Sequence, residues 1–137
     1  MIKKIEKIYY SWDDFDKDCG NLMDSITAID GVKPSSIYGV PRGGLVVGTY
    51  LSHLLEIPLI LDQARINSRT LIVDDISDSG KTLKKLLKDK KYWGVATLWM
   101  DTKTNCSPNI TMNCKTKNQW IVFPWETITS SKYDKTL

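Results

Sequence analysis

Histidine is almost absent from this chain and cysteine is scarce: His53 stands alone, and Cys19, Cys106 and Cys114 are the only thiols in 137 residues. Their spacing gives neither a paired disulfide framework nor a Cys-x-x-Cys knuckle, so structural zinc is not expected. Long apolar runs are missing as well. Nothing approaches the ~18 residues of a bilayer span, and the opening Met1-Ile2-Lys3-Lys4-Ile5-Glu6-Lys7 is broken by charge before any signal-type core forms. A soluble, cytoplasmic protein without a membrane partner is the expectation. Charge of one sign is also lacking: 19 basic and 16 acidic residues leave +3. The densest basic stretch, residues 81–91, alternates with leucines at helical spacing and reads as a solvated helix face, so nucleic acid is an unlikely partner. With no repeat, long linker or low-complexity tract, residues 1–137 are expected to form one domain that buries about two-thirds of its unfolded surface.

Periodicity then supplies the fold class. Ser11-Trp12-Asp13-Asp14-Phe15 has the signature of a helix start: a capping serine, carboxylates at the positive end, and an apolar stripe of Phe15, Leu22, Ile26 and Ile29. Gly31 and Pro34 end it. A short strand, Ser36-Ile37-Tyr38-Gly39-Val40, runs into Pro41-Arg42-Gly43-Gly44 and a second helical pattern carrying Leu45, Val46, Tyr50, Leu51, Leu54 and Leu55. Strands are expected again at residues 57–61, 70–74 and 95–100, with a helix over 81–89. Residues 101–118 read as a polar, turn-rich tail, and 120–125 as an apolar closing segment. Strands alternating with helices predict a single α/β domain with a mainly parallel, twisted sheet, Rossmann-like, and helices on both faces.

In such sheets ligands bind beyond the carboxyl ends of the strands, and the loop there with most chemistry is Asp74-Asp75-Ile76-Ser77-Asp78-Ser79-Gly80-Lys81-Thr82. Adjacent carboxylates at a strand end suit a ribose diol or a hard divalent cation. Ser79, Gly80 and Thr82 precede or open a helix, where unpaired N–H groups and hydroxyls favour a phosphate. Gly80-Lys81-Thr82 also matches the end of a Walker A loop, but that motif's first glycine would fall on Asp75, a carboxylate facing the phosphates, which argues against a nucleoside triphosphatase.

The segment Leu71-Ile72-Val73-Asp74-Asp75-Ile76-Ser77-Asp78-Ser79-Gly80-Lys81-Thr82-Leu83 resembles the phosphoribosyl pyrophosphate (PRPP) signature of type I phosphoribosyltransferases. Tyr10-Ser11-Trp12-Asp13-Asp14-Phe15, Val40-Pro41-Arg42-Gly43-Gly44-Leu45-Val46 and Trp120-Ile121-Val122-Phe123-Pro124-Trp125-Glu126 resemble the short xanthine-guanine branch. The resemblance implies a magnesium-dependent purine phosphoribosyltransferase, forming a nucleoside monophosphate and pyrophosphate from PRPP and a purine base. It implies that Asp74 and Asp75 lie near the ribose hydroxyls and Mg2+, that Ser79, Gly80, Lys81 and Thr82 cradle the 5-phosphate, and that Asp78 is the candidate general base. Arg42, Gly43 and Gly44 take the pyrophosphate, with a cis peptide between Pro41 and Arg42; Trp120 stacks on the base and Ile121 reads its exocyclic edge. Trp125 is assigned to packing. A homodimer or homotetramer is also implied.

Two departures stand out. The family usually carries an extended hairpin lid before the PRPP strand, whereas only residues 62–69 separate Leu61 from Thr70, which leaves open a PRPP- or nucleotide-binding regulator without efficient turnover. Arg65 and Arg69 in that stretch read as solvated surface. In the ungapped register from Trp120, the position of the family's base-reading lysine holds Asp101, which would disfavour a 6-oxopurine; a shift of two would bring Lys103 there.

Overall fold

The computed structural model describes residues 4–127. In chain order its elements are β1 (Glu6–Tyr9), α1 (Trp12–Ala28), β2 (Ser36–Gly39), α2 (Gly43–Leu55), β3 (Leu59–Ile60), β4 (Thr70–Ser77), α3 (Lys81–Leu87), β5 (Gly94–Asp101), β6 (Ile110–Lys115) and β7 (Gln119–Val122), with a 3-10 turn at Gln63–Arg65. Five strands form a parallel sheet in the order β3-β2-β4-β5-β6.

Successive side chains of a strand point to opposite faces, and the two faces are covered by different helices. Ile37, Leu71, Val73, Ala96 and Leu98 pack with Phe15, Cys19, Leu22 and Ile26 of α1 and with Val47 and Leu51 of α2. Tyr38, Ile72 and Val95 point the other way, onto Leu83 and Leu87 of α3. This is the α/β architecture expected from the sequence, and it explains why Thr70–Val73 is buried along its whole length: the middle strand has no solvent face.

A capping box fixes the start of α1. The Asp14 N–H donates to Ser11 Oγ and the Ser11 N–H donates to an Asp14 carboxylate oxygen, both at 3.0 Å. The backbone hydrogen bond from Ser11 is the main reason the Asp14 carboxyl sits below its ordinary value. Such a cap contributes about 1 kcal/mol. Because a helix in a folded protein owes most of its stability to packing of its apolar face, the buried Phe15, Cys19, Leu22 and Ile26 hold it in place.

The structure differs from the sequence reading in three places. The polar tail contains β6, an edge strand that pairs with β5 from Ala96↔Ile110 to Asp101↔Lys115. Its polar side chains are satisfied locally rather than solvated: Thr111 meets Thr97 at 3.0 Å, and the Asn113 amide donates to the Leu98 carbonyl and to Asp18, each at 2.9 Å. Strand β1 lies in the basic amino-terminal stretch and pairs in parallel with β7 as a separate two-stranded sheet, Glu6↔Gln119 to Tyr9↔Val122. The segment after Asp74 is not yet loop, since β4 continues to Ser77 beside β5. No helix of the described residues is long and apolar enough to cross a membrane.

Candidate active site

All five strands of the main sheet run the same way, so their carboxyl ends share one edge. From that edge β2 leads through α2 to β3 on one side, while β4 leads through α3 to β5 on the other. A crevice opens where the connections diverge. It is a cleft of about 400 Å3 between the turn at residues 41–44 and the loop at 74–82, and a second hollow of about 140 Å3 adjoins it, sharing Asp75, Ile76, Asp78 and Glu126.

The turn and the β4 end are fitted to one another. The Pro41–Arg42 peptide is cis, as the resemblance implies. A side chain on Gly43 would place its Cβ 1.9 Å from an Asp75 carboxylate oxygen, and one on Gly44 would lie 2.7 Å from the Val73 carbonyl. Only glycine leaves room here for the carboxylates to stand against the turn. Each carboxylate is oriented by the next backbone N–H: Asp75 N–H donates to Asp74 Oδ1 at 2.9 Å, and Ile76 N–H to Asp75 Oδ1 at 2.8 Å. Arg42 lines the cleft from its place at the amino end of α2, opposite Ser79, Gly80 and Thr82. Gly80 adopts φ +82°, the left-handed conformation that glycine takes at least cost, and so turns β4 into α3.

The described residues contain no group of three or more metal-ligating side chains. Two adjacent carboxylates nevertheless fit Mg2+, which keeps several oxygen ligands from water or substrate and takes only one or two from protein.

Of the residues singled out in the sequence, Arg42, Gly43, Asp74, Asp75, Asp78, Ser79, Gly80 and Thr82 line the main cleft, and Asp75, Asp78, Trp120 and Ile121 line the smaller hollow. Gly44 and Lys81 line neither: Gly44 is buried under the turn, and Lys81 is exposed on α3. Trp120 is 47% exposed, too open for core packing, whereas Ile121 is buried.

Neither residue that the sequence offered for reading the base faces the cleft or the hollow. Asp101 is wholly buried and Lys103 is exposed. The cation in the hollow is Lys115, the cross-strand partner of Asp101 at the end of β6. Its ammonium lies 3.1 Å from Asp101 and 3.1 Å from Asp78, with a longer contact to the Thr116 carbonyl at 3.4 Å. Burial works to raise the Asp101 carboxyl, but the Lys103 N–H and the ammonium groups of Lys115 and Lys117 outweigh it and hold the group below its ordinary value. The readable signal was the alternation Ile110, Met112, Cys114 against Thr111, Asn113, Lys115, which marks a strand ending in a lysine. Trp125 and Glu126 were also missed as cleft residues. Trp125 does pack as expected, stacked on Phe123 with centroids 5.0 Å apart.

No family model and no curated protein matches the chain. Solved structures do. A purine phosphoribosyltransferase from Pyrococcus horikoshii Ot3 is 34% identical over 90% of this chain and 96% of its own, with a TM-score of 0.73. The chain belongs to the type I phosphoribosyltransferases, in their xanthine-guanine-like branch. A xanthine-guanine-hypoxanthine phosphoribosyltransferase from Helicobacter pylori is 25% identical over 96% of this chain and 100% of its own, with a TM-score of 0.73. The adenine phosphoribosyltransferase of Leishmania donovani, 13% identical over 87% of this chain and 72% of its own, shares the fold at a TM-score of 0.62. In this phosphoribosyltransferase the acidic strand end and the Gly-containing turn thus sit at the carboxyl edge of the main sheet, the exposed tryptophan of β7 lines the adjoining hollow, and a lysine from β6 lies between the two carboxylates Asp78 and Asp101.

Proposed function

We propose that this protein transfers the phosphoribosyl group of PRPP to a 6-oxopurine, giving a nucleoside monophosphate and pyrophosphate. The observation that carries the base preference is Lys115: an N–H donor buried between two carboxylates at the wall of the hollow beside Trp120 suits a carbonyl oxygen on the ligand, not an amino group. A 6-oxo group there would replace the long contact to the Thr116 carbonyl.

Arg42 and the backbone of the 41–44 turn would receive the pyrophosphate, because a planar guanidinium and unobstructed N–H groups suit an oxyanion. Ser79, Gly80 and Thr82 would hold the 5-phosphate. Asp74 and Asp75 would hold the ribose hydroxyls and Mg2+, and the ion would screen the negative charge that builds on the departing pyrophosphate. The purine N9 forms the new bond to C1 of the ribose as the C1–oxygen bond to pyrophosphate breaks, and Asp78 accepts the proton released from N7. Positioning and charge stabilisation supply most of the acceleration.

A second reading, a PRPP- or nucleotide-binding regulator, is favoured by residues 62–69. They hold only a 3-10 turn and a short polar loop, so this segment offers no extended cover for the cleft. One experiment separates the two: incubation with PRPP, Mg2+ and each of guanine, xanthine, hypoxanthine and adenine, with pyrophosphate and nucleotide measured. Turnover of the three 6-oxopurines in preference to adenine supports the transferase. PRPP binding by calorimetry without product from any base supports the regulator. An assembly of two or four copies belongs to the same proposal and is read by light scattering.

A further inference from the structure

We propose that the connection between β5 and β6 is a strap that holds the phosphate loop in its binding shape, with Thr104 as the positioning residue. The inference rests on the reading of residues 79–82 as the 5-phosphate cradle, and three observations carry it.

The first is the space beside Gly80. A Cβ there would meet Cys106 N at 2.4 Å, Thr104 Oγ1 at 2.6 Å and Asn105 N at 2.8 Å. Residues 104–106 thus occupy the place of the missing side chain, and their backbone presses on the one residue whose left-handed conformation turns the loop.

The second is a direct bond across the gap. The Asn105 N–H donates to the Ser79 carbonyl at 2.9 Å, which fixes the peptide plane ahead of Gly80.

The third is a closed ring of hydrogen bonds at the base of the loop. The buried Ser77 hydroxyl donates to the Cys106 carbonyl at 2.7 Å, Ser77 Oγ and Thr104 Oγ1 are hydrogen-bonded at 2.8 Å, and the Thr104 hydroxyl also reaches the Cys106 carbonyl at 3.4 Å. Thr104 Oγ1 in turn accepts the Cys106 N–H at 3.2 Å. Every polar group in the ring has a partner, and a ring of this kind leaves few alternative arrangements. Cys106 is also packed against the apolar cluster that includes Ile72, Leu83 and Val95, which anchors the strap to the core on this face of the sheet.

None of residues 104–106 lines the cleft. The strap works from behind, by keeping the loop's N–H groups and hydroxyls convergent before ligand arrives, so that binding does not bear the cost of ordering them.

The test compares wild type with Thr104→Val, which keeps the shape and removes the hydroxyl, and Thr104→Ser, which keeps the hydroxyl. Calorimetry with PRPP and Mg2+ is expected to show affinity reduced about 10-fold in Thr104→Val and restored in Thr104→Ser. Ser107→Ala, at an exposed residue of the same connection, is expected to match wild type. Amide hydrogen exchange without ligand is expected to quicken at residues 79–82 in Thr104→Val while the β2 and β5 amides keep their protection. Unchanged exchange at 79–82 overturns the strap, and so does equal weakening of PRPP binding by the serine and valine variants. A wild-type protein that fails to bind PRPP removes the proposed function, and the exchange measurement still decides whether the strap holds the loop.

Discussion

The proposed phosphate side and the proposed base side of the cleft are made in different ways. The phosphate side is nearly one continuous stretch, residues 74–82, met by a single turn from the neighbouring strand. The base side is assembled from residues of β4, β6 and β7, and its chemistry depends on the buried charge pair that Lys115 of β6 makes with Asp101 of β5. On the phosphate side the frame is backbone, braced from behind by residues 104–106, so one of the loop's own cleft-facing side chains can be lost without losing the frame. An assembled site that includes a buried pair is held by the pair itself, so function and stability are damaged together.

The largest expected effect falls on the base side. Lys115→Met leaves Asp101 wholly buried, with the exposed Lys117, 3.7 Å away, as its one remaining counter-ion among the described residues. Breaking such a pair costs about 3–5 kcal/mol, read as a shift in urea unfolding, and the preference for 6-oxopurines should go with it. The double variant Lys115→Met, Asp101→Asn should recover much of the stability and none of the preference. A cost under about 1 kcal/mol for the single change would mean that the pair does not hold this edge.

On the phosphate side the expected pattern is the reverse. Asp75→Asn should weaken Mg2+-PRPP binding roughly 10-fold or more while leaving the unfolding midpoint close to wild type. If the midpoint falls and binding does not, Asp75 is a structural residue and the two sides are alike. Smaller again is Trp120→Ala. Base stacking contributes about 1–3 kcal/mol, so the KM for the purine should rise about 10-fold, and stability should hardly move because the ring is already half-exposed.

The smallest effect is in acid. Asp101 sits below its ordinary carboxyl value in the folded protein. Its contribution to stability is therefore complete above an unfolded value of about 4 and is lost as pH falls through the lower folded value. Unfolding measured from pH 7 down to 2 should show wild type losing stability more steeply below about pH 4 than Asp101→Asn.

The same division decides what could be read from the sequence. The helix start at Ser11, the Gly-rich turn and the whole Asp74 to Thr82 segment announce themselves because cap, carboxylate and glycine each act within a few residues. Lys115 is invisible in that way. It sits in a stretch whose composition is polar, and its role comes from the strand beside it, fourteen residues earlier in the chain at Asp101. Counting back from Trp120 led to Asp101 instead, the cross-strand partner of Lys115. Strand β6 was hidden for the same reason, since Thr111 and Asn113 are satisfied by neighbours that only the folded sheet supplies. Strand β1 was hidden by the charged residues in and before it and by a partner at the far end of the described chain.

That last pairing has a consequence for how the molecule is made. Synthesis proceeds from the amino end, so β1 emerges first and has nothing to pair with until β7 has followed it. The strands around the phosphate loop are neighbours in synthesis as well as in space, and their sheet can close early. Pairing of such distant segments is slow, because a long stretch of chain must be ordered before the contact forms. Trp120 thus reaches its place beside the hollow late, and a chain halted before residue 119 would carry the phosphate loop without the strand that presents the aromatic ring.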